Sequence, residues 1–525
     1  MKDKLKKIIK KIPVHTWILI GIVVFGIFLR TYNFHQWLRF NADQGRDVQL
    51  VSDVIKGNEK IPLLGPKAGG TDFKLGPIFY YFQIVSARMF GIYPDKVAYP
   101  DLVFSVLCIP LVFFFFCKIF DRKVSLVLTA IFSVSSYAVF YSRFAWNPNS
   151  TPFWTILFLY ALFEIFSKKE NKKIFWSVIA AIAVGVGVQL HTTLLLFFPL
   201  LLVIIFGYAI FLKRKKSFWK YFFIILAISL FLNTPQFINE YQTGGGNAKE
   251  FFRGMEKKKE AETFFEKVAH SSSCWVQSSA YIVSGYEIDD KCSFKPEKNK
   301  LDVIIFTLSS IFLIGGVALG IKRIRNEKEE DERFFLMIIL VFTVIVYLIF
   351  IPLAFELSVR FFLVLIFWPF LILGFWLEFF REKLIRYFKF ILLAIFILFV
   401  FSNLFFIYKI FAENRRLQTS GDDKQIEYIM LGEVENIANF IIENSDNTKK
   451  IYLDGNGQFL FKSFKSIRFL TRRSGIELIE LNKENPQRYF YLASLNKKDK
   501  ILNSQSENIL DYKTFGRFTI ILMRK

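Results

Sequence analysis

Long apolar stretches, separated by short polar loops, recur along the first four-fifths of the chain. A helix needs roughly 20 apolar residues to cross a hydrocarbon core of about 30 Å. By that measure the pattern predicts about eleven transmembrane helices. They fall at residues 14–30, 99–117, 124–141, 152–167, 174–190, 193–212, 220–238, 301–321, 334–352, 360–379 and 390–411.

The basic residues between these stretches alternate along the chain. They are concentrated at residues 2–11, 118–123, 168–173, 213–216, 322–325 and 381–389. The short loops between them, at 142–150, 189–192 and 353–359, contain one basic residue, Arg143. Because basic loops stay in the cytoplasm, we expect a cytoplasmic amino terminus. The loops 31–98 and 239–300 and the carboxyl-terminal tail are then extracytoplasmic.

Composition supports a membrane protein and argues against nucleic acid as a partner. The 525 residues are 53% hydrophobic and include 66 Phe, and the mean hydropathy is +0.37. These values lie outside the range of soluble globular domains. The net charge of +23 fits loop orientation and attraction to anionic membrane lipid. We find no nucleic-acid motif and expect no nucleic-acid partner.

The tail differs from the rest of the chain, being charged and rich in Asn and Lys. The pattern predicts a helix at 425–444, followed by short strands at Ile451–Leu453, Tyr489–Leu492 and Phe518–Leu522. About 100 residues suffice for a separate core. The predicted fold is therefore an all-α polytopic membrane domain at 1–411 and a small α/β domain at 412–525.

The loop after the first apolar stretch carries the most suggestive charges. Asp43 and Asp47 flank Arg46, and in a helix the two acids would lie one turn apart on one face. Carboxylates close to a bilayer are expensive and often mark function. Apolar residues at helical spacing follow at Val48–Ile55. The aromatic segment Ile78–Phe90 is too short to span and predicts a helix in the membrane interface.

The four cysteines constrain the chain only weakly. Cys108 and Cys117 lie in an apolar stretch and are typical of packing residues. Cys274 and Cys292 share the loop 239–300, where a disulfide and two free thiols are both compatible with the sequence. No cysteine spacing is typical of a zinc or iron–sulfur site.

Five short motifs occur in order at the predicted extracytoplasmic ends of the helices. They are Ala42-Asp-Gln-Gly-Arg-Asp47, Lys74-Leu-Gly-Pro-Ile-Phe-Tyr-Tyr81, Tyr141-Ser-Arg-Phe-Ala-Trp-Asn-Pro-Asn149, Gln189-Leu-His-Thr192 and Ser358-Val-Arg-Phe-Phe362. Their order resembles that of the GT-C membrane glycosyltransferases. It is most similar to the bacterial protein mannosyltransferases and the lipid A aminoarabinose transferase, of glycosyltransferase family 39. The resemblance covers roughly residues 14–412.

Two departures from the family pattern bear on the site. Family members commonly have an Asp-Glu pair where this chain has Asp43 and Gln44. The loop 142–150 also lacks the acidic pair of the oligosaccharyltransferase relatives that use a metal ion. The resemblance, with this departure, implies a site that uses no metal and no other cofactor.

The reaction implied by the resemblance is sugar transfer from a polyprenyl phosphate to a hydroxyl group. The phosphate is a good leaving group, so the reaction needs one base and groups that stabilise the departing phosphate. A second carboxylic acid, as in glycosidases, is unnecessary. We expect Asp43 to be the base and Asp47 to orient it. The predicted phosphate-binding residues are Arg46, Lys74, Arg143, His191 and Arg360.

The sequence therefore predicts a hexosyl- or pentosyltransferase of the cell membrane. Its partners would be a polyprenyl-phosphate sugar donor and an envelope acceptor, which is a glycan, a lipid or a protein. Two other classes remain open. A transporter or flippase also has many spans, although transporters usually show paired repeats and ionisable residues in mid-membrane. A non-catalytic scaffold for envelope assembly would use the tail as a binding module.

Overall fold

The computed structural model describes residues 13–257, 263–293, 299–420, 428–446, 448–455, 457–481, 486–494, 502 and 506–524. Helices dominate this part of the chain. In chain order they are α1 (Val14–Thr31), α2 (Ala42–Ile55), α3 (Ile78–Phe90), α4 (Pro94–Val97), α5 (Tyr99–Phe116), α6 (Arg122–Ser133), α7 (Ser136–Tyr141), α8 (Thr151–Phe166), α9 (Lys173–Leu190), α10 (Thr192–Gly207), α11 (Phe218–Leu232), α12 (Thr234–Thr243), α13 (Gly246–Lys257), α14 (Phe264–Ser284), α15 (Lys300–Asn326), α16 (Glu330–Phe350), α17 (Trp368–Lys383), α18 (Phe388–Ser420), α19 (Leu431–Glu443) and α20 (Gly457–Arg473).

Within the described residues, seven helices are long and apolar enough to cross a membrane. They are α1, α5, α9, α10 with its π-helical extension to Leu212, α15, α16 and α18. Two bent pairs raise the number to nine if each pair is one span. The predicted span at 124–141 falls on two shorter helices, α6 and α7. The predicted span at 152–167 falls on one shorter helix, α8. A polytopic membrane protein is confirmed, whereas the predicted number of eleven spans is not.

At each of the two bends, the helix that follows has a proline in its first turn. The axis turns by 58° between α11 and α12, and by 63° between the 3₁₀ helix Val359–Leu365 and α17. Pro235 and Pro369 are the second residues of α12 and α17. A proline lacks the N–H that a continuous helix would use, but it is tolerated in the first turn of a new helix. Both predicted spans are therefore split into two helices.

The tail forms a five-stranded sheet with the strand order β2-β1-β3-β5-β4. The strands are β1 (Lys450–Gly455), β2 (Glu477–Glu480), β3 (Arg488–Ser494), β4 (Ile509–Phe515) and β5 (Phe518–Arg524). β1 is parallel to β2 and β3, whereas β5 is antiparallel to β3 and β4. The small α/β fold and the three predicted strands are confirmed.

Three elements of the tail were not predicted, namely β2, β4 and α20. In α20, Phe459, Leu460, Ile467 and Leu470 are buried and recur at helical spacing, a signal that could have revealed this helix. The predicted helix at 425–444 corresponds to α19, which begins at Leu431. Residues 425–427 lie outside the described part of the chain.

The sheet and its helices pack against the segment that leads into α2. The backbone of Phe40 donates to Ile429 at 2.7 Å. Ser466 Oγ lies 2.8 Å from the carbonyl oxygens of both Phe40 and Asn41. A β-carbon on Gly45 would lie 2.6 Å from the backbone nitrogen of Ser466. This close approach requires glycine in the middle of the acidic motif and fixes α2 against α20.

Cys274 and Cys292 form a disulfide, which decides between the two alternatives that the sequence left open. Their Cα atoms are 4.8 Å apart. Cys108 is free and buried, and Cys117 is free and partly buried. α3 has the predicted bounds Ile78–Phe90.

Candidate active site

The start of α2 is fixed by Gln44, the residue that stands where family members commonly have Glu. The Gln44 side-chain oxygen accepts from the backbone N–H of Asn41 at 3.1 Å and caps the helix. Its amide nitrogen donates to the carbonyl of Ala145 at 3.1 Å. A glutamate could accept the first bond but could not donate the second. Gln44 therefore joins α2 to the loop 142–150.

Asp43 and Asp47, the two acids at the start of α2, occupy different environments. The Asp43 side chain is 68% exposed, and its carboxylate lies 2.9 Å from Arg46 Nη1. Asp47 is buried, and one of its oxygens accepts from Arg46 Nε at 2.9 Å and from the Tyr80 hydroxyl at 3.0 Å. Arg46 thus bridges the two acids, with Asp43 on the open side. Asp43 can meet a substrate, whereas Asp47 supports the arginine from behind.

Burial also changes the proton affinity of Asp47. Loss of water raises the pKa of this carboxyl to about 6, although Arg46 and the Tyr80 hydroxyl act in the opposite direction. Asp47 is therefore ionised at neutral pH and accepts a proton in mild acid. Its pairing with Arg46 weakens when that happens.

The loop 142–150 is where the sequence motifs meet. Besides its bond to α2, it is tied to the end of α9 because the Asn147 amide donates to the carbonyl of Leu190 at 2.7 Å. The Trp146 ring lies 5.8 Å from the guanidinium carbon of Arg360. This loop therefore connects the motif at 42–47, the motif at 189–192 and the Arg360 motif, which are far apart in sequence.

His191 is a neutral hydrogen-bond donor in this arrangement. Its Nδ1 accepts from the backbone N–H of Thr193 at 3.2 Å and caps α10, so the ring proton of the neutral form is on Nε2. Burial and the nearby Arg360 lower the pKa of His191 to about 4. The ring stands edge-on to Phe361 with centroids 5.6 Å apart. His191 and Arg360 therefore lie side by side at neutral pH as a donor and a cation.

Arg360 is exposed and lies in the 3₁₀ helix before α17. Its guanidinium stacks near two rings, Trp146 at 5.8 Å and Phe361 at 5.6 Å. Among the residues that the structure describes, it makes no hydrogen bond or ion pair. A guanidinium held by aromatic rings keeps all its donors available for an anion.

Lys74 is exposed, and its position is set by the backbone. Its N–H donates to the Asn247 side chain at 2.8 Å, and its carbonyl accepts from the same amide at 2.9 Å. Gln189 Oε1 accepts from the backbone of Ile78 at 3.2 Å, and a β-carbon on Gly76 would lie 2.3 Å from Gln189 Cγ. The Lys74 motif is therefore packed directly on the motif that carries His191.

Arg143 has different surroundings from the other predicted phosphate ligands. It is buried, and it donates to the carbonyls of Leu29 at 3.2 Å, Arg30 at 2.9 Å and Tyr32 at 2.8 Å. Burial lowers the pKa of Arg143 to about 10. These contacts cap the end of α1, a role typical of a basic residue at a helix carboxyl terminus. They leave its predicted contact with phosphate unsupported.

Two residues near the site were missed by the sequence reasoning. Tyr80 binds Asp47, and Asp101, buried in the first turn of α5, accepts from the backbone N–H of Trp146 at 3.0 Å. Tyr80 lies in the motif at 74–81 but was assigned no role there. Asp101 was counted as part of the predicted span at 99–117. In the described part of the chain, no group of three or more His, Cys, Asp or Glu could hold a metal ion.

Known proteins match this chain in fold and, over part of its length, in sequence. Residues 74–236 match the family model of dolichyl-phosphate-mannose-protein mannosyltransferase. ArnT from Cupriavidus metallidurans bound to undecaprenyl phosphate is similar in structure, with a TM-score of 0.55, 10% identity and 97% of each chain covered. The oligosaccharyltransferase AglB from Archaeoglobus fulgidus, in complex with an inhibitory peptide and a dolichol-phosphate, gives a TM-score of 0.51 at 11% identity. That match covers 96% of this chain and 74% of AglB. No curated protein matches significantly in sequence.

The fold and the converging motifs define a class, the polytopic membrane proteins of GT-C glycosyltransferase fold. Over residues 74–236, the family model supports the narrower resemblance, drawn from the motifs, to glycosyltransferase family 39.

Proposed function

We propose that this protein transfers a sugar from a polyprenyl-phosphate donor to an acceptor hydroxyl at the extracytoplasmic face of the cell membrane. The acceptor is an envelope glycan, lipid or protein. The observation that carries the proposal is that two charged groups flank the loop 142–150. One is the exposed carboxylate of Asp43, and the other is the guanidinium of Arg360, which has no ion pair among the described residues.

In the proposed step, Asp43 takes the proton of the acceptor hydroxyl. The acceptor oxygen forms a bond to the anomeric carbon of the sugar, and the bond from that carbon to the phosphate oxygen breaks. The polyprenyl phosphate leaves with the electron pair of the broken bond. Arg360 and Lys74 stabilise its negative charge, and His191 donates from Nε2. Arg46, held by Asp47, keeps the Asp43 carboxylate in place.

The choice of donor is supported by the solved relatives, one bound to undecaprenyl phosphate and one to a dolichol-phosphate. The described helices also suit a donor that stays in the membrane, because Arg360 and His191 lie at the ends of apolar helices.

The test of the reaction is a product assay with purified protein. Polyprenyl-phosphate sugars, hexoses and pentoses, would be offered together with envelope glycans, lipids and peptides, and products would be identified by mass spectrometry. We expect a new glycosylated acceptor and free polyprenyl phosphate in equal amounts. Movement of the intact donor across proteoliposomes without any transfer would favour the transporter instead.

The proposed face of the membrane is tested by thiol labelling in intact cells. Glu59 and Asn171 are both exposed, the first in the loop after α2 and the second in a predicted cytoplasmic loop. In a Cys117→Ser background, Glu59→Cys should react with an impermeant thiol reagent, and Asn171→Cys should react only after lysis. The reverse pattern would refute the proposed orientation.

A further inference from the structure

The disulfide closes a segment that contacts the backbone beside Arg360. Cys274 lies in α14 and Cys292 lies 18 residues later, and both are buried. Between them, the chain leaves α14 at Gly285, which has a positive φ of 80° and ends the helix. We call residues 285–292 the disulfide-closed segment.

Hydrogen bonds hold this segment at both of its sides. The Gln277 amide of α14 donates to the carbonyl of Cys292 at 3.0 Å. The carbonyl of Asp290 accepts from the backbone N–H of Val359 at 3.0 Å. The Tyr137 hydroxyl donates to the carbonyl of Val359 at 2.9 Å. Both backbone groups of the residue before Arg360 are therefore bound, one of them to the disulfide-closed segment.

The position of Arg360 depends on its backbone more than on its side chain. The guanidinium makes ring contacts but no hydrogen bond or ion pair within the described residues. Ser358 is extended, with φ −146° and ψ 166°, and the 3₁₀ helix starts at Val359. The Val359 N–H lies at the amino end of this helix, where no earlier turn offers it a partner. The disulfide-closed segment supplies that partner.

We propose that the Cys274–Cys292 disulfide is a positioning device for Arg360. By closing the segment, the disulfide keeps the Asp290 carbonyl in place, and this carbonyl fixes the start of the 3₁₀ helix. The inference rests on the proposed function in one respect, that Arg360 binds the donor phosphate. Cys274, Cys292 and Asp290 are positioning residues and do not touch the substrate.

The first test removes the disulfide. A small error in the position of a binding group is costly, so Cys274→Ser with Cys292→Ser should raise the donor KM about tenfold and change kcat little. A dithiol reductant, which is oxidised to its cyclic disulfide as it reduces the bond, should have the same effect on the unmodified protein. It should not affect the double variant. Cys117→Ser is the matched control and should leave KM unchanged.

The second test removes the hydrogen bond and keeps the disulfide. Proline has no N–H but suits the first residue of a helix, and it prefers an extended residue before it, as Ser358 is. Val359→Pro should therefore raise the donor KM as the serine variant does. Val359→Ala loses the same side-chain packing but keeps the N–H, and should have a smaller effect. This pair tests the inference even if the cysteine variants fail to fold.

A double-mutant comparison separates this inference from the proposed function. In an Arg360→Gln background, removing the disulfide should raise the donor KM little further, because both changes act on one contact. If Arg360→Gln leaves KM unchanged, the phosphate role of Arg360 is wrong. If Arg360→Gln raises KM, while Val359→Pro and the loss of the disulfide do not, only the positioning role is wrong. Independent effects of the two changes would also refute it.

Discussion

Charged side chains are arranged differently at the two ends of the helical bundle. One end is formed by the loops near 117–123, 167–172, 326–330 and 381–387, and several of its charges are paired across helices. Lys118 lies 2.6 Å from Glu164 of α8, and Arg323 of α15 lies 3.4 Å from Glu332 of α16. At the other end, among the described residues, Arg360 makes no ion pair and the Asp43 side chain is 68% exposed.

The difference separates charges that hold helices together from charges that await a ligand. Partly exposed ion pairs contribute little individually, so losing one at the paired end should cost little stability and no activity. Among the described residues, Arg360 has no ion pair, and Asp43 is paired only within its own helix, to Arg46, so neither charge holds two helices together. The comparison therefore predicts that substitutions at the two ends act on different measurements.

The largest effect should follow from Asp43→Asn. The amide keeps the size of the side chain and cannot take a proton, so transfer should fall by about 10²–10⁴-fold while donor binding changes little. Turnover of saturating donor measures it. The control at the paired end is Asp331→Asn, since this carboxylate accepts from Ser167 Oγ at 2.7 Å. Near-normal turnover of Asp43→Asn would place the base elsewhere.

The second-largest effect, a rise in the donor KM, should come from Arg360→Lys. A guanidinium can bind two phosphate oxygens at once, and an ammonium cannot copy that planar fork. Losing one charge-assisted hydrogen bond is worth about 1.5–3 kcal/mol, so the donor KM should rise at least about tenfold. Arg381→Lys, at the paired end, should have no such effect. Equal KM values for the two variants would show that Arg360 needs only its charge.

The sequence predicted the helices at both ends of the bundle better than it predicted their bends and contacts. Apolar length and alternating charge located the helices, and each predicted span falls on one helix or on two consecutive helices. The bends before α12 and α17 were missed because a proline within an apolar run does not reveal whether the helix bends or stops. The strand β2 has four residues, too few for a clear alternation.

The residue types of the site were visible in the sequence, and their partners were not. Tyr80 binds an acid 33 positions earlier in the chain, and Gln44 binds a carbonyl 101 positions later. Likewise, nothing local distinguishes the buried Arg143 from the exposed Arg360. Only the packing of the helices decides which arginine keeps its donors free.

A smaller effect should appear in the pH dependence. Because burial raises the pKa of Asp47 to about 6, transfer should decline as the pH falls from 7 to 5 and Arg46 loses its support. The fold favours the neutral carboxyl, so the contribution of Asp47 to stability increases over that same fall in pH. Protonation of Asp47 therefore does not unfold the protein, and the decline in transfer must have another cause, the loss of support for Arg46.

The control for this pH dependence is Asp47→Asn, which should lose several-fold in turnover at pH 7 and should lack the decline centred near pH 6. The ratio of variant to unmodified rates, measured across pH 5–8, reports on Asp47 alone. A ratio that stays constant with pH would show that another group causes the decline.

The smallest effect on transfer should come from Arg143, although it lies at the same end as the site. Its guanidinium is bound to the carbonyls that end α1, so Arg143→Met should leave those acceptors unpaired and cost about 1–3 kcal/mol of stability. The melting temperature should fall, while the donor KM of the protein that remains folded should be unchanged. A raised KM without a loss of stability would return Arg143 to the phosphate-binding residues. A loss of stability with an unchanged KM would show that Arg143 is structural because its donors are bound to the carbonyls that end α1, although it lies at the same end as the site.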